Sequence, residues 1–407
     1  MPFLEGRVSR MALIILACGL FLSIAGVLTI HSAMSDASSK YQQDYYKRQI
    51  VWLVASLVAF AVVALMPMRF FEVFSYVFYA ITVVLLIGLL FVGSGKAGRW
   101  YSLGFFNFQV SELAKIVVVF VLARYLSYSR RLPNSVLKLA VVLFLVLVPM
   151  LLILRQPDLG TSLVFLAVLV LILFWSGLPA TYMLLLISPA VSLVASSHWV
   201  SWVVFFVLLL VLLQVIKPGT LFSSLVITTN LGSGMIMPFV WNKLQDYQKL
   251  RILAFLDPSR DPLGAGYQII QSKVAIGSGG LWGKGYMAGT QTSLAFIPER
   301  HTDFIFSVLG EEFGFWGGAL TLLAFLAIIL VGVRIAYKCR NRFASLVTIG
   351  GITILAFQVV VNMGMTLGLM PVTGLPLPFL SYGGSSLLLC WIILGLMFNA
   401  ELNWQEY

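Results

Sequence analysis

Twelve apolar runs constrain this chain more than any other feature. They lie near 11–30, 50–66, 72–93, 110–127, 138–154, 159–176, 180–197, 200–216, 219–239, 304–336, 346–369 and 384–400. A helix needs about 20 mostly apolar residues to cross a bilayer. In hydrocarbon each segment must satisfy its own backbone polar groups, which leaves helices as the spanning form for such runs. The expected fold is therefore an all-α polytopic membrane protein with about twelve transmembrane helices, read as a single integral membrane domain over 1–407. Composition agrees: 60% of residues are hydrophobic and 10% charged, against about 25% charged in soluble domains, and the mean hydropathy is +0.99. The run 11–30 is long enough to span, so a cleavable leader is not expected.

Charge sets the expected sidedness. Arg7 and Arg10 precede the first run, which places the N-terminus in the cytoplasm. Counting spans from there puts Arg124, Arg130, Arg131 and Lys138 inside, and later Lys338, Arg340 and Arg342 with the C-terminus. Lys47 and Arg48 fall outside, weakly against the rule. The net charge of +11 fits cytoplasmic anchoring loops and anionic lipid; with no soluble basic module in view, nucleic acid is not an expected partner. Cys18, Cys339 and Cys390 show neither disulfide nor metal spacing and read as small apolar fillers.

The longest polar stretch, 240–303, is expected outside. Apolar residues at 247, 250, 253 and 254 suggest a short interfacial helix, ended by Asp257-Pro258. Gly277, Gly279, Gly280, Gly283 and Gly285 mark a loop that either approaches a ligand closely or simply connects. Lys243, Lys249, Arg251, Arg260, Lys273, Lys284 and Arg300 read either as a solvated surface or as a site for an anion.

This stretch ends in Pro298-Glu299-Arg300-His301-Thr302-Asp303-Phe304, an ionic cluster where water gives way to hydrocarbon. Ionisable groups are costly there, which makes the cluster a functional-site hypothesis. A helix N-terminus would keep Asp303 ionised and able to accept a proton, though weakly, while burial pushes the other way; the plain alternative is a helix cap. Glu311 and Glu312, roughly 12 Å along the same helix, are expected to pair with buried bases such as Lys115. Arg99-Trp100 reads as interfacial anchoring or as part of a site. In Gln109-Val110-Ser111-Glu112-Leu113-Ala114-Lys115, Ser111 is a reasonable N-cap. Glu112 and Lys115 share a helix face, either as a structural ion pair or lining a polar cavity. Asp158 in Gln156–Thr161 reads first as the cap of the next helix. Pro371–Phe379 cannot be regular helix and is expected to enter the membrane against protein. Ser381–Ser386 opens the last run, with small residues suited to close packing.

Together these stretches, with Asp261–Tyr267, resemble the SEDS family of shape, elongation, division and sporulation proteins, which includes RodA and FtsW. The stretch Ile269–Gly280 looks like the RodA branch. The chain departs from the family pattern in having Val110 where proline is usual, and in carrying about twelve runs where ten are usual, the excess lying in 180–240.

The resemblance implies polymerisation of lipid II into peptidoglycan glycan strands for cell elongation and rod shape, beside a class B penicillin-binding protein. It implies an inverting glycosyltransferase in the bacterial inner membrane with an extracytoplasmic site. Asp303 matches the family's loop acid and would be the general base. Arg99, Glu112, Lys115, Asp158, Arg251, Lys273, Lys284, Glu299, Arg300, His301 and Ser385 are the expected substrate-binding residues. No cofactor is demanded; a divalent cation, Mg or Mn, is compatible with a pyrophosphate leaving group. The rival functions are a flippase for the lipid-linked precursor and a non-catalytic scaffold for the penicillin-binding protein. Against the flippase stand the lack of an internal repeat and a polar cluster at the outer end rather than mid-bilayer.

Overall fold

A computed structural model describes residues 9–35, 39–93, 98–102, 107–128, 136–243, 249–250, 253–255, 257, 264, 266–294 and 296–404. In chain order the helices are α1 (Arg10–Met34), α2 (Lys40–Gln43), α3 (Tyr45–Leu65), α4 (Met68–Val92), α5 (Val110–Ser127), α6 (Val136–Leu154), α7 (Leu159–Trp175), α8 (Ala180–Ala195), α9 (Trp199–Ile216), α10 (Thr220–Lys243), α11 (Tyr267–Ser278), α12 (Thr290–Ser293), α13 (Ile305–Lys338), α14 (Arg342–Thr366) and α15 (Gly384–Leu402). Two short strands, β1 (Tyr101–Ser102) and β2 (Asn107–Phe108), form an antiparallel hairpin before α5.

Each expected run coincides with a long helix. Among the described residues nine are long and apolar enough to cross a membrane. The other three are α5, which carries Glu112, Lys115 and Arg124, and the shorter α7 and α8. The protein is thus a multi-pass membrane protein.

The interior is built on α14, which packs against α5, α7, α13 and α15, while α15 lies along α3 and α1 along α13. At the start of α15, Gly384 gives room to the Trp52 indole, the close approach expected of small residues. The surplus helices are peripheral: α9 packs mainly on α8 and α10, and Leu185, Leu209, Leu213, Phe222 and Val226 form a separate small core. Hydrogen bonds bind this layer, with Asn230 Nδ2 donating to Ser188 Oγ at 2.8 Å and Trp202 Nε1 to Ser192 Oγ at 3.0 Å.

Several local expectations change. Ser111 is not the cap of α5; Gln109 holds that position and Ser111 is buried inside the helix. Val110 is the first helical residue, a position that tolerates proline and valine alike, so the departure from the family pattern leaves the helix start in place. Phe304, not Asp303, is the N-cap of α13. Gly277 belongs to α11, a helix that glycine spacing had hidden. Of the interfacial helix expected near 246–254, residues 249–250 and 253–254 are described and are helical, with Ala254 buried; the rest of it and most of 257–265 lie outside the described residues.

One feature had no sequence signal. Helix α13 is broken at Gly314 (φ 64°, ψ −157°). A break inside the membrane frees backbone groups that need partners, and the glycine loop after α11 supplies them. Phe315 N–H donates to Gly280 O at 2.9 Å, and Lys284 and Gly285 N–H donate to Glu311 and Glu312 O, each at 3.0 Å. Gly280 (φ +57°) and Gly283 (φ +79°) take the left-handed conformation that this docking needs. The glycines therefore serve approach to another stretch of this chain.

Candidate functional site

Three non-helical segments meet at one end of the bundle: 156–158 before α7, 299–304 before α13, and 371–383 between α14 and α15. The last is buried, with Leu375, Leu377 and Phe379 at most 2% exposed, as expected for irregular backbone entering the membrane against protein. Its polar groups are met by side chains: Ser381 Oγ accepts from Leu377 N–H at 2.8 Å and donates to Thr302 O at 2.7 Å.

Asn362 ties this segment to Asp303. Its Nδ2 donates to Asp303 O at 2.9 Å and to Leu375 O at 2.7 Å. Asp303 Oδ2 lies 3.5 Å from where a Cβ on Gly374 would sit. At the neighbouring residue, a Cβ on Gly160 would lie 2.7 Å from Thr373 O. The start of α7 and the acid thus press on adjacent residues of one loop.

Asp158 caps α7, accepting from Thr161 N–H at 3.1 Å. Arg99 reaches the same turn, with Nε donating to Gln156 O at 2.8 Å, Nη2 to Pro157 O at 2.6 Å, and Nη1 3.9 Å from Asp158 Oδ2. Ser385 Oγ is 3.5 Å from Gln109 N. Glu112 and Lys115 form a buried ion pair at 2.8 Å, and Glu112 Oε2 has no hydrogen-bond partner among the described residues.

The remaining bases sort by what holds them. Glu311 and Glu312 do not pair with Lys115, whose charge is met by Glu112. Glu311 takes Lys284 at 2.8 Å, and Glu312 takes the Ser32 hydroxyl. The reason is the break in α13, which brings the 284–292 loop onto this turn. Glu311 is fully buried and accepts from Gln291 N–H (2.9 Å), Thr292 N–H (3.2 Å) and Thr292 Oγ1 (2.9 Å). Arg300 Nη1 in turn donates to Thr292 O at 2.6 Å. A single carboxylate therefore anchors the loop that leads to Asp303. Lys273 is exposed on α11 and lies over Gly368 at the end of α14. Ser272 beside it bonds Ser307 Oγ and Thr366 O, each at 2.6 Å. Glu299 accepts from Thr302 Oγ1 at 3.3 Å. Arg251 lies outside the described residues.

Aromatic residues close the other flank. Tyr45 stacks on Tyr382 with centroids 4.4 Å apart, and His301 is 5.1 Å from Tyr45. Burial holds the His301 imidazole below its ordinary value; Glu299 pulls against this and Arg300 adds to it. The guanidinium of Arg48 sits 3.7 Å over the Tyr41 ring.

Sequence reasoning found His301 but missed Asn362, Gln49 and the tyrosines Tyr41 and Tyr45 of this flank. Asn362 had a signal: Gln358, Asn362 and Thr366 form a fully buried polar stripe at helical spacing in an otherwise apolar run. Gln49, also buried, bonds Ser381 O and Gly383 N–H, each at 3.2 Å. It lies one residue before the apolar run 50–66, outside every stretch singled out from the sequence. Among the described residues no three His, Cys, Asp or Glu side chains converge as a metal site.

The helical bundle superposes on solved membrane proteins over nearly its whole length. The chain of a peptidoglycan synthase complex coordinating polymerization and crosslinking superposes with a TM-score of 0.70 at 31% identity, covering 97% of this chain and 98% of that one. RodA, the rod shape determining protein of Thermus thermophilus, superposes with a TM-score of 0.63 at 27% identity, with 96% of both chains covered. Among curated proteins, the peptidoglycan glycosyltransferase MrdB of Escherichia coli K12 is 37% identical over 94% of this chain and 92% of its own. The peptidoglycan glycosyltransferase RodA of Treponema pallidum is 34% identical over 96% and 98%. The fold and these relatives define an integral-membrane glycosyltransferase. The family model FTSW_RODA_SPOVE, described as cell cycle protein, matches residues 11–202 and 200–406, and the chain belongs to this family.

Proposed function

We propose that this chain polymerises lipid II into glycan strands during cell elongation, with Asp303 as general base. The observation that carries the assignment of the base is the double hydrogen bond of Asn362, which fixes the Asp303 backbone against the buried 371–383 segment. A main chain held this way limits the motion needed to bring the carboxylate to the substrate. The acceptor sugar's 4-hydroxyl attacks the anomeric carbon of the donor. Its proton passes to the Asp303 carboxylate as the bond to the lipid pyrophosphate breaks, and the linkage inverts. Such base assistance is worth about 10²–10⁴-fold.

The leaving pyrophosphate needs positive charge. Lys115 and Lys284 are matched by carboxylates and serve the scaffold. Exposed Lys273 is the better anion ligand; Arg99, with Nε and Nη2 on the Gln156 and Pro157 carbonyls, has Nη1 to share between Asp158 and an anion. No protein cage for a divalent cation is formed by the described carboxylates, so no step is assigned to one.

The positive-inside trend supports the orientation. Arg69, Arg124, Lys138, Lys217, Lys338, Arg340 and Arg342 lie at helix ends opposite Asp303, which favours a cytoplasmic placement of that end together with both termini, while Lys47, Arg48 and Arg155 at the Asp303 end run against the trend. The site then faces the extracytoplasmic side of the inner membrane, where a class B penicillin-binding protein would crosslink the product. The chain acts as one integral membrane unit.

The test is polymerisation of purified lipid II by the chain with its penicillin-binding partner. Polymer is expected from the wild type. Transfer of lipid II across a vesicle bilayer without polymer would contradict the proposal.

A further inference from the structure

A second polar feature lies at the opposite end of the bundle. Between α4, α5 and α6 a cavity of about 360 Å³ is lined by Tyr76, Arg124, Tyr125, Tyr128 and Lys138. All five side chains carry hydrogen-bond donors, two are cations, and none is acidic. Its size falls in the range of small-molecule sites. A lining of this kind selects an anion.

One of the two lining cations, Arg124, is held in place. Arg124 Nη1 contacts Glu72 Oε1 at 2.9 Å and Tyr128 Oη at 3.0 Å, and the guanidinium lies 4.5 Å over the Tyr128 ring. Both polar contacts use the same nitrogen. A guanidinium fixed at one corner can present its other edge as a fork, the geometry that phosphate oxygens take best.

The surroundings indicate what carries the phosphate. From Tyr76 an exposed apolar stripe, Ala80, Val84 and Ile87, runs along α4 away from the cavity toward the site end. It gives acyl chains a track continuous with the donor-lined mouth. Basic pockets between transmembrane helices at the cytoplasmic surface are suited to anionic head groups.

We propose that this cavity binds the phosphate head group of an anionic membrane phospholipid, with Arg124 and Lys138 on the phosphate and the tyrosine hydroxyls on the glycerol oxygens. Glu72 is the resident counter-ion of Arg124, so it competes with the lipid.

Native mass spectrometry of the intact protein released from bilayers of defined composition tests this. In bilayers mixing phosphatidylglycerol and phosphatidylcholine, wild type is expected to retain phosphatidylglycerol. Lys138→Gln should lower that retention about fivefold, as expected for one basic residue near the lipid surface. Glu72→Gln, which keeps the hydrogen bond and removes the competing charge, should raise it. Arg124→Gln is avoided because it strands the half-buried Glu72. Equal retention by wild type and Lys138→Gln overturns the proposal. So does retention of the two lipids in their bulk ratio, or a fall in retention with Glu72→Gln. Displacement of the lipid by inorganic phosphate at physiological concentration would assign the cavity to the free ion instead.

Discussion

Helices α14 and α9 are both apolar, yet the protein treats them oppositely. The apolar window of α14 is 83% buried and that of α9 is 11% buried. In a bilayer, lipid tails are as apolar as leucine, so burial is not driven by hydrophobicity; packing and interhelical hydrogen bonds decide it. Helix α14 has what that requires: Asn362 holds two loop carbonyls, and Thr366 O accepts from Ser272. In the α8–α10 layer a few hydrogen bonds among Ser188, Ser192, Trp202 and Asn230 suffice. The buried helices position chemistry, while the outer layer adds spans that can be tolerated without touching it.

The comparison predicts a graded series. Glu311→Ala should have the largest effect. It leaves Lys284, two amides and the Thr292 hydroxyl without their buried acceptor, at a cost of about 3 kcal/mol, the low end for breaking a buried pair, because Lys284 keeps some solvent. The thermal midpoint in detergent should fall and polymerisation should fall with it.

Next is a matched pair of glycines with left-handed backbone, Gly374 (φ +76°) at the site and Gly219 (φ +95°) in the outer layer. Alanine at either stores about 1–3 kcal/mol of backbone strain. Only Gly374→Ala should also reduce kcat, since relief of that strain would shift the backbone beside Asp303, whose Oδ2 lies 3.5 Å from the new Cβ; equal activity losses would erase the distinction between the two regions.

Asn230→Ala should cost about 0.6–1.7 kcal/mol, the range for interhelical hydrogen bonds in membranes, and leave polymerisation at the wild-type rate.

The smallest effect concerns pH. The folded protein holds His301 below its ordinary value, so the neutral form is favoured by folding. This stability is present above the unfolded value of about 6.5 and is lost as pH falls through the lower folded value. The thermal midpoint of wild type should therefore drop more between about pH 7 and pH 5 than that of His301→Gln, measured in the same detergent.

Among the described residues the helices under the twelve runs were legible because the spanning condition acts on each run separately; nine meet it by apolar length, while charges interrupt α5, and α7 and α8 are shorter. Asp303, Arg99 and Asp158 were legible as charges at the ends of apolar runs, where ionisable groups are conspicuous. Pairings were not. Whether Glu311 meets Lys115 or Lys284 depends on where the loop after α11 docks, and that depends on the Gly314 break, which looks like any other glycine in an apolar helix. Asn362 could have been found from its period-four stripe with Gln358 and Thr366. Its two partners are backbone carbonyls distant in sequence, which no local pattern encodes.

The account stands most directly on Asp303. Its test is single-turnover polymerisation of lipid II by wild type and Asp303→Asn, with lipid II binding and thermal midpoint measured on the same samples. Binding and stability near wild type with polymerisation reduced about 10²–10⁴-fold is the predicted result. Polymer formed at the wild-type rate by the folded, substrate-binding Asp303→Asn protein would contradict it.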